Sequence, residues 1–221
     1  KVCKKYQIKM INISSSGVYG SNRSGVLKED DEKRPYEGYG ESKWKAEKLC
    51  CKYARDGVDV IIIRPTAMIG PYIGGLFKLF MKFVYYNLPL ITIGSGRNKI
   101  QMLSASDCID AMLKAEKYDK SGEVFNIGSD NVPTFRYQLC TFLKKVKSRS
   151  IIIPLPSYPA KKFFEILHKL NLTFFPPEHY EMLDKNVLLN TNKAKTVLGW
   201  KPKKDNIQMM LESYEWFKEN F

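Results

Sequence analysis

Apolar runs without a polar face alternate with stretches of helical spacing along most of this chain. Residues 7–14 (QIKMINIS) form a short apolar run that passes directly into a Ser/Gly loop, the pattern of a short buried strand. Residues 1–5 read as the end of a helix leading into it. A polar stretch follows to Gly38, with Asp30-Asp31-Glu32 and Pro35. Residues 39–56 have helical spacing that predicts a shared face for Trp44, Leu49, Tyr53 and Ala54, and Gly57 stops the helix. Residues 58–64 (VDVIIIR) show no alternation, as expected of a strand covered on both faces, and Pro65 ends it.

The pattern continues with a helix over residues 76–86. Short strands at Leu90–Ile93 and residues 100–103 flank the turn Gly94-Ser95-Gly96. Ser104 or Ser106 caps a helix running to about Lys117. Glu123–Ile127 is another strand, and Thr134 caps a helix to about Lys147. From Ile151 onward Pro154, Pro156, Pro159, Pro176 and Pro177 break the chain into short pieces, before a last amphipathic helix over Asn206–Asn220. The alternation of strands and helices predicts an α/β domain, with an α-rich part woven in late.

At 221 residues and 44% apolar composition the chain can bury a real core, which excludes a disordered, collagen-like or coiled-coil molecule. No apolar run approaches the roughly 18 residues needed to span a bilayer. Residues 1–5 lack a signal peptide's apolar stretch and cleavage site. The five cysteines are odd in number and form no Cys-x-x-Cys pair, which predicts reduced thiols and a cytoplasmic protein. A net charge of +13 raises the question of nucleic acid. The 29 lysines are scattered and the arginines number only 7, whereas base readout favours bidentate Arg. A solvated lysine surface is expected, with no nucleic-acid partner, and its field would attract an anionic cofactor or substrate. His168 and His179 stand eleven apart in polar surroundings and lack the partners of a metal site or a triad. The aromatic-rich residues 163–175 are expected to pack inward rather than lie on a membrane.

Three features carry candidate chemistry. Ser14-Ser15-Ser16-Gly17-Val18-Tyr19-Gly20 follows a strand, Tyr39-Gly40-Glu41-Ser42-Lys43 opens a helix, and Arg64-Pro65-Thr66 closes the next strand. Residues four apart share a helix face, so Tyr39 and Lys43 are neighbours. A free phenol titrates near ~10, and a fixed positive charge within about 4–6 Å lowers such a value. A serine hydroxyl at the end of the preceding strand can polarise the same substrate oxygen. The set suits removing a proton from an alcohol while hydride leaves its carbon. A surface lysine beside a packed tyrosine gives the same spacing, and three serines in a row are common in loops. Only the order of all three features is specific.

With these motifs the chain resembles the extended short-chain dehydrogenase/reductases, the NAD-dependent epimerase/dehydratase family. INISSSGVYG is similar to that family's serine segment, YGESKWKAE to its Tyr-x-x-x-Lys helix, and RPTAMIGP to its Arg-Pro-x-x-x-x-Gly-Pro stretch. GEVFNIGS and NKAKTVLGWKP resemble its late strand and C-terminal segment. The resemblance implies a Rossmann-like doubly wound parallel sheet, with residues 7–14, 58–64 and 123–127 as parallel neighbours. Residues 1–150 would belong to the dinucleotide-binding domain, with a substrate-domain insertion at about 70–105. Residues 151–221 would form a smaller, interleaved substrate-binding region. It further implies NAD or NADP as cofactor, and Ser15, Tyr39 and Lys43 as catalytic residues. Ser14, Tyr39, Lys43, Pro65 and Thr66 would lie against the cofactor, and no metal is called for. The implied reaction is hydride transfer on a secondary alcohol or ketone, foremost of a nucleotide sugar, and a homodimer is compatible with it.

Departures from the family pattern narrow this reading. Where the sugar-nucleotide dehydratases carry an Asp-Glu pair, this chain has Ser16 and Gly17, so an epimerase-like reaction is expected rather than 4,6-dehydration. Ala67 replaces an Asn, and Ile100 stands where an Arg commonly clamps the diphosphate, with Lys99 one residue away. Those changes leave open a reductase or dehydrogenase of the hydroxysteroid or dihydroflavonol type. The family's Gly-x-x-Gly-x-x-Gly turn has no counterpart in these residues, so the chain is expected to be the C-terminal part of a longer protein. By itself it would bind NAD(P) poorly and be inactive, or serve as a structural or regulatory piece.

Overall fold

Three of the runs read as strands, at residues 7–14, 58–64 and 123–127, lie side by side in one parallel sheet. The computed structural model describes residues 1–20, 25–72, 74–170 and 177–221. Helix α1 (Val2–Tyr6) leads into strand β1 (Met10–Ile13), a 3₁₀ turn (Ser16–Tyr19) and strand β2 (Val26–Leu27). Helix α2 (Tyr39–Arg55) precedes β3 (Val60–Pro65), β4 (Ala67–Ile69), helix α3 (Gly75–Tyr85) and β5 (Leu90–Ile93). Next come β6 (Met102–Ser104), α4 (Ala105–Glu116), β7 (Glu123–Ile127), α5 (Phe135–Lys145) and β8 (Ile152–Leu155). The chain closes with α6 (Ser157–Lys169), α7 (Pro177–Met182), β9 (Leu188–Leu189), α8 (Asn192–Val197) and α9 (Asn206–Asn220).

The main sheet runs β1-β3-β7, with Ile11 opposite Ile61 and Ile61 opposite Glu123. Every residue of β3 is buried, which explains its unbroken apolar run. Ile61 and Ile63 point to the face covered by Cys108, Ala111 and Ala115 of α4, Ala194 of α8 and Trp200. Val60 and Ile62 point to the opposite face and meet Cys50 of α2. Each such side chain taken out of water stabilises the fold by about 1.5–3 kcal/mol. Helices thus lie on both faces of a parallel sheet, the doubly wound arrangement. Among the described residues β1 is the outer strand of that sheet.

Beside it stand three two-stranded parallel pairs, β2-β9, β4-β6 and β5-β8. A second core joins α3, α5 and α9 through Met81, Val84, Phe142, Met209 and Phe217. Helix α9 begins at a capping box, with Asp205 accepting from the Gln208 amide and Gln208 accepting from that of Asp205. All five cysteines are free. No described helix is long and apolar enough to cross a membrane.

Several expectations are corrected. The second strand flanking Gly94-Ser95-Gly96 runs over Met102–Ser104 rather than residues 100–103. The first of the two, Leu90–Ile93, pairs with β8 and the second with β4. Pro154 does not break the chain but sits within β8, opposite Thr92. It is tolerated because, among the described residues, β8 has a strand on one side only. On α2 the buried positions are Gly40, Glu47 and Cys50, while Leu49 is 58% exposed. That face keeps helical spacing, but its central group is a carboxylate that finds a partner inside. Helix α6 buries only Ala160, and Phe163, Ile166 and Leu170 face solvent, although Phe164 stacks on Tyr180 at 5.8 Å. Residues 171–175 of that aromatic stretch lie outside the described residues. His168 is exposed in the last turn of α6.

Candidate active site

Parallel strands β1 and β3 end at the same edge of the sheet, and the site is built there. The amide of Ser14, just after β1, donates to Ile63 O at 2.8 Å, and that of Thr66, just after β3, to Ile127 O at 3.1 Å. Sheet pairing therefore continues one residue past each strand and holds both side chains in place. Ser14 is 2% exposed and Thr66 4% exposed. Among the described residues neither Ser14 Oγ nor Thr66 Oγ1 has a hydrogen-bond partner. A buried polar atom left unsatisfied costs about 1–3 kcal/mol, so such pairs of orphans are uncommon without a reason.

Ser15 caps the 3₁₀ turn, its Oγ accepting from the Gly17 amide at 3.0 Å. The turn carries Val18 and Tyr19 into the core and ends at Gly20, whose φ is +77°. A Cβ at Gly20 would lie 1.9 Å from Arg34 O, so glycine is required both for its backbone and for the close approach. Helix α2 starts against this turn. A Cβ at Gly40 would stand 2.7 Å from Gly17 O, so the first turn of the helix rests directly on the serine segment. Tyr39 is 55% exposed there. Lys43, half-buried one turn on, donates from Nζ to Ile13 O at 2.9 Å and lies 5.6 Å from the centre of the Tyr39 ring.

These groups converge on one cavity of about 480 Å³. Ser14, Ser15, Tyr39, Lys43, Pro65 and Thr66 all line it, so the structure brings together every residue singled out from sequence. Ser16 and Gly17 line it too and bring no carboxylate. A further wall is made by Met68, three residues past Pro65, and by Ile100, Gln101, Met182 and Val187 from distant parts of the chain. Gln101 is fixed in that wall, donating to Ser129 O at 2.7 Å and accepting from the Leu189 amide at 2.7 Å. Among the described residues no group of three or more His, Cys, Asp or Glu stands together as a metal site requires.

Next to the cavity-lining Pro65 stands Arg64, at the centre of a polar cluster whose members are far apart in sequence. Arg64 donates from Nε to Glu47 Oε1 at 2.9 Å and from Nη2 to Glu47 Oε2 at 2.6 Å, a two-pronged ion pair with both side chains at most 3% exposed. Its Nη1 donates to the Tyr19 hydroxyl at 2.7 Å and to Glu29 O at 2.9 Å. The Tyr19 hydroxyl in turn donates to Asn126 Oδ1 at 2.9 Å. Burial pushes the Tyr19 phenol up to about 12, overriding the opposite pull of Arg64. Burial also works against the Arg64 charge, but its bonds to Glu47 and Tyr19 hold the guanidinium above its ordinary value. One signal for the cluster was available: Glu47 continues the stripe of Tyr39 and Lys43 at the same four-residue interval.

The comparisons agree with this geometry. Residues 1–128 match the model of the NAD dependent epimerase/dehydratase family. The chain is 32% identical over 214 residues to the uncharacterized protein y4nG of Sinorhizobium fredii, covering 96% of this chain and 54% of that one. It is 26% identical over 219 residues to the dTDP-D-glucose 4,6-dehydratase of Mus musculus, covering 96% and 56% respectively. The crystal structure of UDP-glucuronic acid 4-epimerase from Bacillus cereus with UDP-glucuronic acid and NAD superposes with a TM-score of 0.78 at 25% identity. That match covers 99% of this chain and 64% of the epimerase. The chain spans little more than half the length of the curated relatives it matches. With a parallel sheet covered on both faces and the serine, Tyr-x-x-x-Lys and Arg-Pro segments at its carboxyl edge, this chain belongs to the NAD-dependent epimerase/dehydratase family.

Proposed function

We propose that this chain carries the proton-transfer side of an NAD(P)-dependent active site that interconverts a secondary alcohol and a ketone of a nucleotide sugar, by epimerisation rather than 4,6-dehydration. The observation that carries the reading is the meeting of Ser15, Tyr39 and Lys43 at a cavity that also holds two orphaned hydroxyls. Tyr39 exchanges the proton at its phenol oxygen. Lys43 has three donors, of which one is engaged by Ile13 O; the rest are available to ribose hydroxyls, and its charge sits beside the Tyr39 ring. Ser15 Oγ holds the reacting oxygen of the substrate. Ser14, Pro65 and Thr66 would line the nicotinamide end, and of the four orphaned side-chain atoms among the described residues two, Ser14 Oγ and Thr66 Oγ1, are at this place. Bound there, NAD or NADP supplies the acceptor and donor of hydride. Ser16 and Gly17 offer no acid or base for removing water, which supports epimerisation over dehydration.

One observation favours a second reading, a reductase or dehydrogenase on a non-nucleotide substrate. No described residue lining the cavity is an arginine, and its far wall presents Ile100, Val187, Met68 and Met182. A diphosphate is ordinarily met by a bidentate guanidinium. Incubating the full-length protein with NAD⁺ and either UDP-glucuronic acid or dTDP-glucose separates the two readings. Sugar stereochemistry is followed by NMR and nicotinamide by absorbance at the same time. Epimerisation without net NADH is expected; net cofactor turnover on ketones lacking a nucleotide would select the second reading. Tyr39→Phe should cost about 10²–10⁴-fold in turnover with the fold intact, and retention of over a tenth of the activity would overturn the assignment. Lys43→Ala should in addition weaken NAD⁺ binding.

A further inference from the structure

We propose that Arg64 is a positioning residue whose two-pronged bond to Glu47 sets where Tyr39 and Lys43 stand relative to Ser15. The inference rests on the proton-transfer reading of those three residues. Tyr39, Lys43 and Glu47 follow one another at four-residue intervals on α2, so Glu47 is about 6 Å along the helix axis from Lys43 and about 12 Å from Tyr39. A single buried contact near the middle of a helix leaves it free to roll or slide; two parallel N–H···O bonds fix both rotation and height. The same guanidinium reaches the serine segment through the Tyr19 hydroxyl, four residues beyond Ser15, and the β2 side through Glu29 O. Arg64 uses at least four of its five N–H groups in this way. Its own strand continues into Pro65 and Thr66 at the cavity. One side chain therefore ties together all three segments that meet at the site.

Stability alone does not require this arrangement. A buried ion pair is often replaced by apolar side chains of similar volume without loss of stability, because desolvation offsets much of the attraction. What apolar side chains lack is the fork, and reacting groups are sensitive to displacements of about 1 Å, which can cost on the order of 10²-fold in rate.

The test compares Arg64→Lys, which keeps the charge and loses the fork, with the paired replacement Arg64→Met and Glu47→Leu. Each is made in the full-length protein. Thermal unfolding, crystal structures, and kcat and KM with UDP-glucuronic acid and NAD⁺ are measured, with Tyr39→Phe alongside. The paired variant, which also takes a donor from the Tyr19 hydroxyl and from Glu29 O, is expected to stay folded and melt a few degrees below wild type, while Tyr39 Oη moves by about 1 Å or more from its place relative to Ser15 Oγ. Both variants are expected to lose about 10²-fold in kcat with KM within about threefold. An unchanged Tyr39–Ser15 separation, or wild-type kcat in either folded variant, would overturn the proposal. Should the paired variant fail to fold, Arg64→Lys alone decides by the same two measurements. If Tyr39→Phe keeps its turnover, the functional reading fails, and the crystallographic comparison still decides the role of Arg64.

Discussion

At Tyr19 a single hydroxyl both donates, to Asn126, and accepts, from Arg64, with no exposure to water. Tyr39 is the opposite case, half exposed and lining the cavity. Two tyrosines twenty residues apart are thus given different work by their surroundings. The raised value of Tyr19 has a measurable consequence. An unfolded phenol loses its proton near ~10, whereas the folded one keeps it to about 12. Between those values the folded state binds the extra proton, so stability is complete below about pH 10 and falls as pH rises toward 12. The expected contribution is about 1.4 kcal/mol per pH unit. Urea unfolding at a series of alkaline pH values should show a shallower decline in Tyr19→Phe than in wild type; equal slopes would contradict it.

Among the elements, the contact of α2 with the serine turn shapes the site. Helix propensity favours alanine over glycine, but at Gly40 the added methyl meets Gly17 O. The expectation is a net loss of about 1–3 kcal/mol for Gly40→Ala, read as a lower denaturation midpoint. A higher midpoint would mean that the two segments can part at no cost. Strands and helices were legible where their patterns are local: β3 shows its double burial, α9 its amphipathic spacing, and Tyr39–Lys43 its four-residue interval. What escaped depends on partners far along the chain. Leu90–Ile93 reads as a strand, but nothing local marks its partner, which begins at Ile152. Leu49 looked buried because it is apolar, whereas Glu47 is buried because Arg64 answers it. The near side of the cavity comes from segments with recognisable order, and the far wall of Ile100, Met182 and Val187 carries no local mark.

For the molecule as a whole, the pairing of β2 with β9 joins Val26 to Leu188 and Leu27 to Leu189. Leu27 and Val187 then stand in the same cavity. In the order of synthesis this makes the cavity a late product. Ser15, Tyr39 and Lys43 leave the ribosome first, and Met182 and Val187 follow about 140 residues after Lys43, or roughly 7–30 s later at the usual pace of about 5–20 residues per second. During that interval the reactive groups exist without the wall that would enclose a ligand, and β2 has no strand to lie against. Nascent chains stalled before residue 188 should therefore be cut by protease around residues 26–27, and chains stalled well beyond residue 220 should be protected there. A newly made chain passes from exposing its chemistry to enclosing it only once residues 182–189 have arrived.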